Sequence, residues 1–225
     1  MKKKLPFLIS LFALLLTSLG FNWHLLRKVE QVEGSYKVAE IVDGDTFILE
    51  TDQSIRLADL DAPELNFCLG KEAKERLEKL ILGKRVKLET TGRGSFKRTI
   101  ALVYQNNVFI NKVMLEEGWG RYDCTGTDKD EELKAASHQA QDAKKGVYGS
   151  QCTPVDPPNP QCVIKGNIDK HYRKKIYHFP GCGGYNVVII EKDRGEDWFC
   201  SEKEAQEAGF VKSKQCYGKK YKGVL

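Results

Sequence analysis

The chain has 225 residues, of which 41% are hydrophobic and 30% charged, with seven cysteines and a formal net charge of +5. That length supports one sizeable core plus a small second unit, and the apolar content excludes a disordered chain. The charge is uneven: residues 1–28 carry five Lys/Arg and no acids, residues 29–161 carry 18 Lys/Arg against 23 Asp/Glu, and residues 162–225 carry 13 against 8. Attraction for a polyanion would therefore come mainly from the C-terminal part, whereas the middle needs a bound cation or local arginines to hold phosphate.

In chain order, "MKKKLPFLISLFALLLTSLGFNW" places three lysines before an apolar run from Leu5 to Phe21. This predicts a signal peptide or short membrane anchor over residues 1–28, with everything after it exported. Ser18 and Gly20 are the small residues nearest a cleavage point, and a soluble core helix is the weaker alternative. An extracellular location, or one on the outer face of the cytoplasmic membrane, makes disulfides the expectation for Cys68, Cys124, Cys152, Cys162, Cys182, Cys200 and Cys216. The odd count leaves a thiol free or paired between chains, and no pair is spaced C-x-x-C.

"SYKVAEIV" turns at Asp43-Gly44 into "TFILE", and a polar break at 52–54 leads to "IRLADL", which predicts three short strands. "GKEAKERLEKLI" puts Ala73, Leu77, Leu80 and Ile81 on one helical face. "RVKLE" returns to alternation. "TTGRGSFKR" reads as a loop by its glycines, and "TIALVY" is a strand closed by an Asn106-Asn107 turn. "FINKVMLEEGWG" predicts a short helix ended by Gly118. A further helix runs from Asp130 to Lys145, with Leu133, Ala136, Ala140 and Ala143 on a face. Five short strands with a helix after the third predict a β-rich α+β domain over 29–150, a five-stranded Greek-key OB-fold barrel with about three helices.

"TPVDPPNPQ" holds four prolines, so residues 151–161 predict a semi-rigid linker. Residues 162–225 begin afresh as a cysteine-rich basic α+β module, with two short strands and a brief helix at Glu202–Ala208. It is too small to be stable on core burial alone. Cys162, Cys182, Cys200 and Cys216 either form two disulfides, the expectation for an exported chain, or bind one zinc ion, with His178 a lesser candidate ligand. Cys124 and Cys152 bracket the last helix of the first domain and are candidates for a bond, as is Cys68 with either of them.

The stretch Val42–Glu64, "VDGDTFILETDQSIRLADLDAPE", holds seven carboxylates and one arginine in an otherwise lysine-rich chain. Acids also decorate turns and solvated faces, and Asp43 is read as setting its turn. Yet a phosphodiester repels nucleophiles, so cutting one requires cations on its non-bridging oxygens and a base for the attacking water. Hard cations choose carboxylate and carbonyl oxygens. "VDGDTFIL", "IRLADLDAPE" and "FKRTIALVY" together resemble the three signature blocks of the thermonuclease, or staphylococcal-nuclease-like, family over residues 36–150.

That resemblance implies calcium ligands at Asp45, Asp61 and the backbone carbonyl of Ala62. It implies that Glu64 aligns or deprotonates the attacking water and that Arg56 and Arg98 grip the phosphate. One departure is "GSFKR", where Gly94 replaces the family's acid and Lys97 its glycine; Phe96 keeps a ring able to stack on a base or sugar. The expectation is an exported, calcium-dependent endonuclease of little sequence specificity, with DNA and RNA as substrates, a monomer, tethered to the membrane if the N-terminal segment is retained. The alternative is a non-catalytic OB-fold module that binds nucleic acid or an envelope polymer. The tail is similar to small modules found behind such nuclease domains and, more faintly, to the cysteine-rich metal-binding fold of Ada-type repair proteins.

Overall fold

A computed structural model describes residues 35–94, 98–169 and 172–223. The predicted leader or anchor at 1–28 lies outside them, as do Phe96 and Lys97. Among the described residues, no helix is long and apolar enough to cross a membrane.

The first sheet contains β1 (Ser35–Ile41), β2 (Thr46–Leu49), β3 (Ser54–Leu57), β5 (Arg85–Arg93), β6 (Thr99–Gln105) and β7 (Val108–Phe109), in the order β3-β2-β1-β5-β6-β7. Because β3 also pairs in parallel with β6, five of these strands return on themselves as a ring. The result is an OB-fold-like α+β architecture. Two very short strands, β4 (Leu60–Asp61) and β8 (Arg121–Tyr122), form a separate antiparallel ribbon that the sequence did not announce.

Inside the ring sit Val38, Ile41, Phe47, Leu49, Ile55, Leu57, Val86 and Val103, all essentially inaccessible to water. Each contributes roughly 1.5–3 kcal/mol relative to exposure. Val38 and Ile41 both point inward although three residues apart, which a regular strand of period two forbids. The register of β1 against β2 shifts between Val38 and Glu40, and that irregularity resolves the spacing.

Helix α1 (Gly70–Ile81) covers the ring with Ala73, Leu77 and Ile81 buried. Helices α2 (Ile110–Glu116) and α3 (Asp130–Asp142) pack beside it. The predicted C-terminal extension of α3 to Lys145 is shorter in the structure: Ala143 is exposed and Lys144 takes a left-handed φ of 50° that ends the helix. The glycine-rich stretch predicted as a loop is strand as far as Arg93, the register shift between Thr90 and Gly92 absorbing its glycine. Asn106 and Asn107 both have positive φ, as a tight hairpin turn between β6 and β7 requires.

Beyond the prolines, a second sheet runs in the order β11-β9-β10-β12, built from β9 (Ile164–Ile168), β10 (Lys175–His178), β11 (Asp197–Phe199) and β12 (Val211–Lys212). This is four strands where two were predicted; β12 is only two residues long and too short to show alternation. Helix α4 (Glu202–Glu207) is capped by the Ser201 hydroxyl, which accepts from the Glu204 N–H. The core here is Ile164, Tyr177, Phe179, Phe199, Ala205 and Phe210. Gly166 admits the Phe199 ring, since a Cβ there would lie 2.4 Å from it.

The cysteines settle three open pairings. Cys162 bonds Cys200 and Cys182 bonds Cys216, so the four predicted as either disulfides or zinc ligands are disulfides. A thiol in a disulfide has no lone thiolate for zinc. Buried His178 has no partner for Nδ1 among the described residues, and no group of three His, Cys, Asp or Glu suited to a metal occurs among them. Cys68 bonds Cys152, which excludes the Cys124–Cys152 pairing; Cys124 is exposed and unbridged.

Candidate active site

The turn after β1 is set by Asp43, whose Oδ1 accepts from the N–H of Asp45 (2.9 Å) and of Thr46 (2.7 Å). Gly44 is needed for a reason other than its φ. A Cβ on it would stand 2.7 Å from the Cβ atoms of both Ala62 and Ala73, so only glycine lets the turn press against α1 and the loop after β4. Held this way, Asp45 turns inward and is 2% exposed.

Its carboxylate is fully engaged. Oδ1 accepts from Arg56 Nη1 at 2.7 Å and from the Thr46 hydroxyl at 2.7 Å, while Oδ2 accepts from the Ala62 N–H at 3.0 Å. Burial pushes the Asp45 carboxyl up to about 7, with Arg56 opposing the rise and Asp43 adding to it. Arg56 projects from β3, opposite Thr46 in register, and its other nitrogen, Nη2, donates to Asp61 Oδ1 at 2.9 Å and to the Leu60 carbonyl at 3.3 Å. Burial lowers the Arg56 pKa, but Asp45 and Asp61 more than offset it, so the guanidinium stays charged.

Asp61 lies on β4 opposite Arg121 of β8. A Cβ on Gly120 would sit 2.9 Å from the Asp61 carbonyl oxygen, so this glycine also permits a close approach. Glu64 follows after the buried Pro63; its side chain is exposed and makes no hydrogen bond among the described residues. Its backbone carbonyl accepts from Phe67 N–H at 2.9 Å and lies so near Gly70, the first residue of α1, that a Cβ there would be 2.0 Å away. Arg98, just before β6, extends Nη1 to within 3.4 Å of the Thr46 hydroxyl.

The structure therefore joins Asp45, Arg56, Asp61 and Ala62 by direct contact and places Arg98 one side chain away through Thr46. Glu64 shares a cleft of about 210 Å³ with Asp61 and Ala62. The remaining acids of the stretch divide among other tasks. Glu50 pairs with Lys37 and Asp52 turns the chain with a φ of 61°. Asp59, wholly buried, accepts from the N–H and hydroxyl of Thr125 and from the Thr127 hydroxyl, fixing the loop after β8.

Two groups beside the cleft were not anticipated. Arg121 forms a two-pronged bond with Asp193 (Nε–Oδ2 2.6 Å, Nη2–Oδ1 2.9 Å) and reaches Glu191 at 3.1 Å. Its partners lie some seventy residues away in the C-terminal module. No local pattern could reveal such a pair; only its charge and its place after the Gly118-Trp119-Gly120 turn marked Arg121.

The arrangement offers two carboxylates spanned by one guanidinium, a second guanidinium nearby and an unengaged carboxylate at the cleft edge. Its oxygen donors suit a hard divalent cation, and its arginines suit a phosphate. The family model described as "Staphylococcal nuclease homologue" matches residues 54–150. An "Uncharacterized endonuclease" of Haemophilus influenzae is 34% identical over 109 residues, which cover 47% of this chain and 61% of that protein. "Probable staphylococcal-like nuclease CAN2" of Oryza sativa subsp. japonica is 35% identical over 118 residues, covering 52% of this chain and 31% of that protein. The "Thermonuclease" of Staphylococcus hyicus is 29% identical over 131 residues, covering 52% of this chain and 78% of that protein. The chain thus spans less than two thirds of the first two of these relatives. Asp45 lies before the matched residues and is tied to them by its bonds to Arg56 and Ala62.

Proposed function

Residues 54–150 form a domain of the staphylococcal nuclease homologue family, and from that premise we propose that the chain is a nuclease, an endonuclease that hydrolyses phosphodiester bonds of DNA and RNA with little sequence preference. The observation that carries this reading is the Asp45–Arg56–Asp61 bridge, with Glu64 in the same cleft as Asp61.

In this reading Glu64 takes the proton of the attacking water, for which its exposed, unengaged carboxylate is suited. Arg56 and Arg98 hold the non-bridging oxygens and neutralise charge as it builds in the transition state. Asp45 and Asp61 fix the Arg56 guanidinium between them. Asp45 and Asp61, both within reach of one guanidinium, with Ala62 bonded to Asp45 through its N–H, would hold calcium as the resident ion, which would polarise the phosphate when bound. The residues that would hold the ion, Asp45 and Asp61, are the same ones that hold Arg56. Action outside the cytoplasm is supported by three disulfides in one chain.

The test is cleavage of single-stranded and duplex DNA, and of RNA, by the full chain with calcium and with a chelator, beside Glu64→Gln and Arg98→Ala. Calcium-dependent cleavage that falls by roughly 10²–10⁴-fold in each variant is the expected result. Binding without cleavage, indifferent to calcium, would mean that the domain is a binding module.

A further inference from the structure

The cleft that holds Glu64 has a second wall that comes from the other module. Asp61, Ala62 and Glu64 line one side of the 210 Å³ space, and Ile168, Arg173 and Arg194 face it from the second sheet and its loops. The two walls are locked together. The buried Arg121–Asp193 pair joins them next to Arg194, and the Lys192 N–H donates to the Cys152 carbonyl at 2.8 Å. Cys152 is in turn bonded to Cys68, four residues beyond Glu64. Gly195, with a φ of 83°, lies against the Phe67 ring, where a Cβ would stand 2.6 Å from it.

Three arginines and three carboxylates line this surface, and two of the carboxylates are already paired. Asp61 is satisfied by Arg56 and Asp193 by Arg121. Arg194 is anchored only loosely, its Nε 3.6 Å from Glu191, with a quarter of the side chain exposed. Arg173 is exposed, stands at a turn with a φ of 55°, and its side chain makes no hydrogen bond or ion pair among the described residues. Arg173, and Arg194 with its single 3.6 Å contact to Glu191, thus face the edge where Glu64 stands.

We propose that the C-terminal module is the second wall of the substrate cleft, and that Arg173 and Arg194 hold a backbone phosphate of the nucleic-acid strand next to the phosphodiester at Glu64. The site rests on the nuclease reading for its meaning, and it deepens that reading: the module is part of the substrate site rather than a remote anchor. Guanidinium pairs recognise phosphate oxygens by two-pronged hydrogen bonds and read no base, in keeping with low sequence preference.

The experiment compares the full chain with the Arg173→Ala/Arg194→Ala double variant and with its Lys/Lys counterpart. Affinity for a labelled single-stranded oligonucleotide is read by anisotropy in a Glu64→Gln background at several salt concentrations, and cleavage kinetics are read without that change. The alanine pair should weaken affinity about tenfold, make the slope of log K against log salt shallower by about 0.7 for the one phosphate released, and raise KM while kcat stays within about twofold. The lysine pair, which keeps the charge but not the two-pronged geometry, should restore the salt slope and only part of the affinity. Unchanged affinity and slope in the alanine pair would overturn the proposal. So would a fall in kcat and in melting temperature that lysine does not restore, because that marks a scaffold role. A wild-type chain that binds but never cuts would sink the nuclease reading alone, and the binding comparison would still decide this one.

Discussion

The ring of residues 35–150 and the module after the prolines are built by different means. The ring surrounds a continuous apolar core of strand and helix side chains, and its single disulfide, Cys68–Cys152, reaches out of it to the start of the linker. The module's core is smaller and includes two of its own half-cystines, Cys182 and Cys216. Burial scales with size, so the ring can rely on it, whereas some sixty residues depend on covalent closure. The charge differs in the same way: the first region carries more acids than bases, and two of its acids hold Arg56, whereas the module carries more bases than acids.

The sharpest way to break this division is at the joint. Replacing Arg121 by Ala would leave Asp193, whose side chain is 3% exposed, buried beside Glu191 without its cation. The expected loss is about 3–5 kcal/mol, with calorimetry resolving two transitions where the wild type shows one. A single transition at the wild-type temperature would show that the modules are coupled without the pair.

The next effect separates the two regions by their staples. Cys182→Ser with Cys216→Ser should cost the module about 2–5 kcal/mol, so its amides lose hydrogen-exchange protection while those of Leu77 and Val103 in the ring keep theirs. Equal loss in both regions would mean that the module is not a separate cooperative unit.

The smallest effect is a pH dependence confined to the module. Glu196 is 4% exposed, and burial raises its carboxyl from 4.5 to about 7, although its oxygens accept from the N–H groups of Ile168 (2.8 Å) and Glu191 (2.9 Å). The neighbouring Glu191 adds to the rise and Arg194 opposes it. The folded chain therefore keeps a proton that the unfolded chain has lost between pH 4.5 and about 7. Stability falls as pH rises through that window and levels off above it, by at most about 3 kcal/mol. Glu196→Gln copies the protonated carboxyl and should flatten the slope in urea titrations; an unaltered slope would assign it to another group.

Much of the candidate site's grouping was legible in the chain because its residues are close in sequence. Asp45, Arg56, Asp61, Ala62 and Glu64 lie within twenty residues, and the turn signals of Asp43-Gly44 and Ala62-Pro63 bring them to one end of adjacent strands. The face of α1 was equally plain, since Ala73, Leu77 and Ile81 repeat at helical spacing and are buried as that spacing demands. Two-residue strands such as β4, β8 and β12 carry no period at all, so the Asp61–Arg121 ribbon and half of the second sheet stayed hidden. The disulfides were hidden for a related reason: the number of cysteines limits the pairings, but only spatial proximity selects Cys68–Cys152 over Cys124–Cys152.

By itself, then, the sequence determined the strand and helix periods, the candidate acids and arginines and the need for staples in a small tail, because side-chain type and short-range spacing decide those. Tertiary structure alone decided which acids share a guanidinium and which only hold a loop. It also decided that Arg121 meets Asp193 and that Arg173 and Arg194 face Glu64 across a cleft. Those are contacts between residues far apart in the chain, set by how two cores close and not by any local preference of the residues that make them.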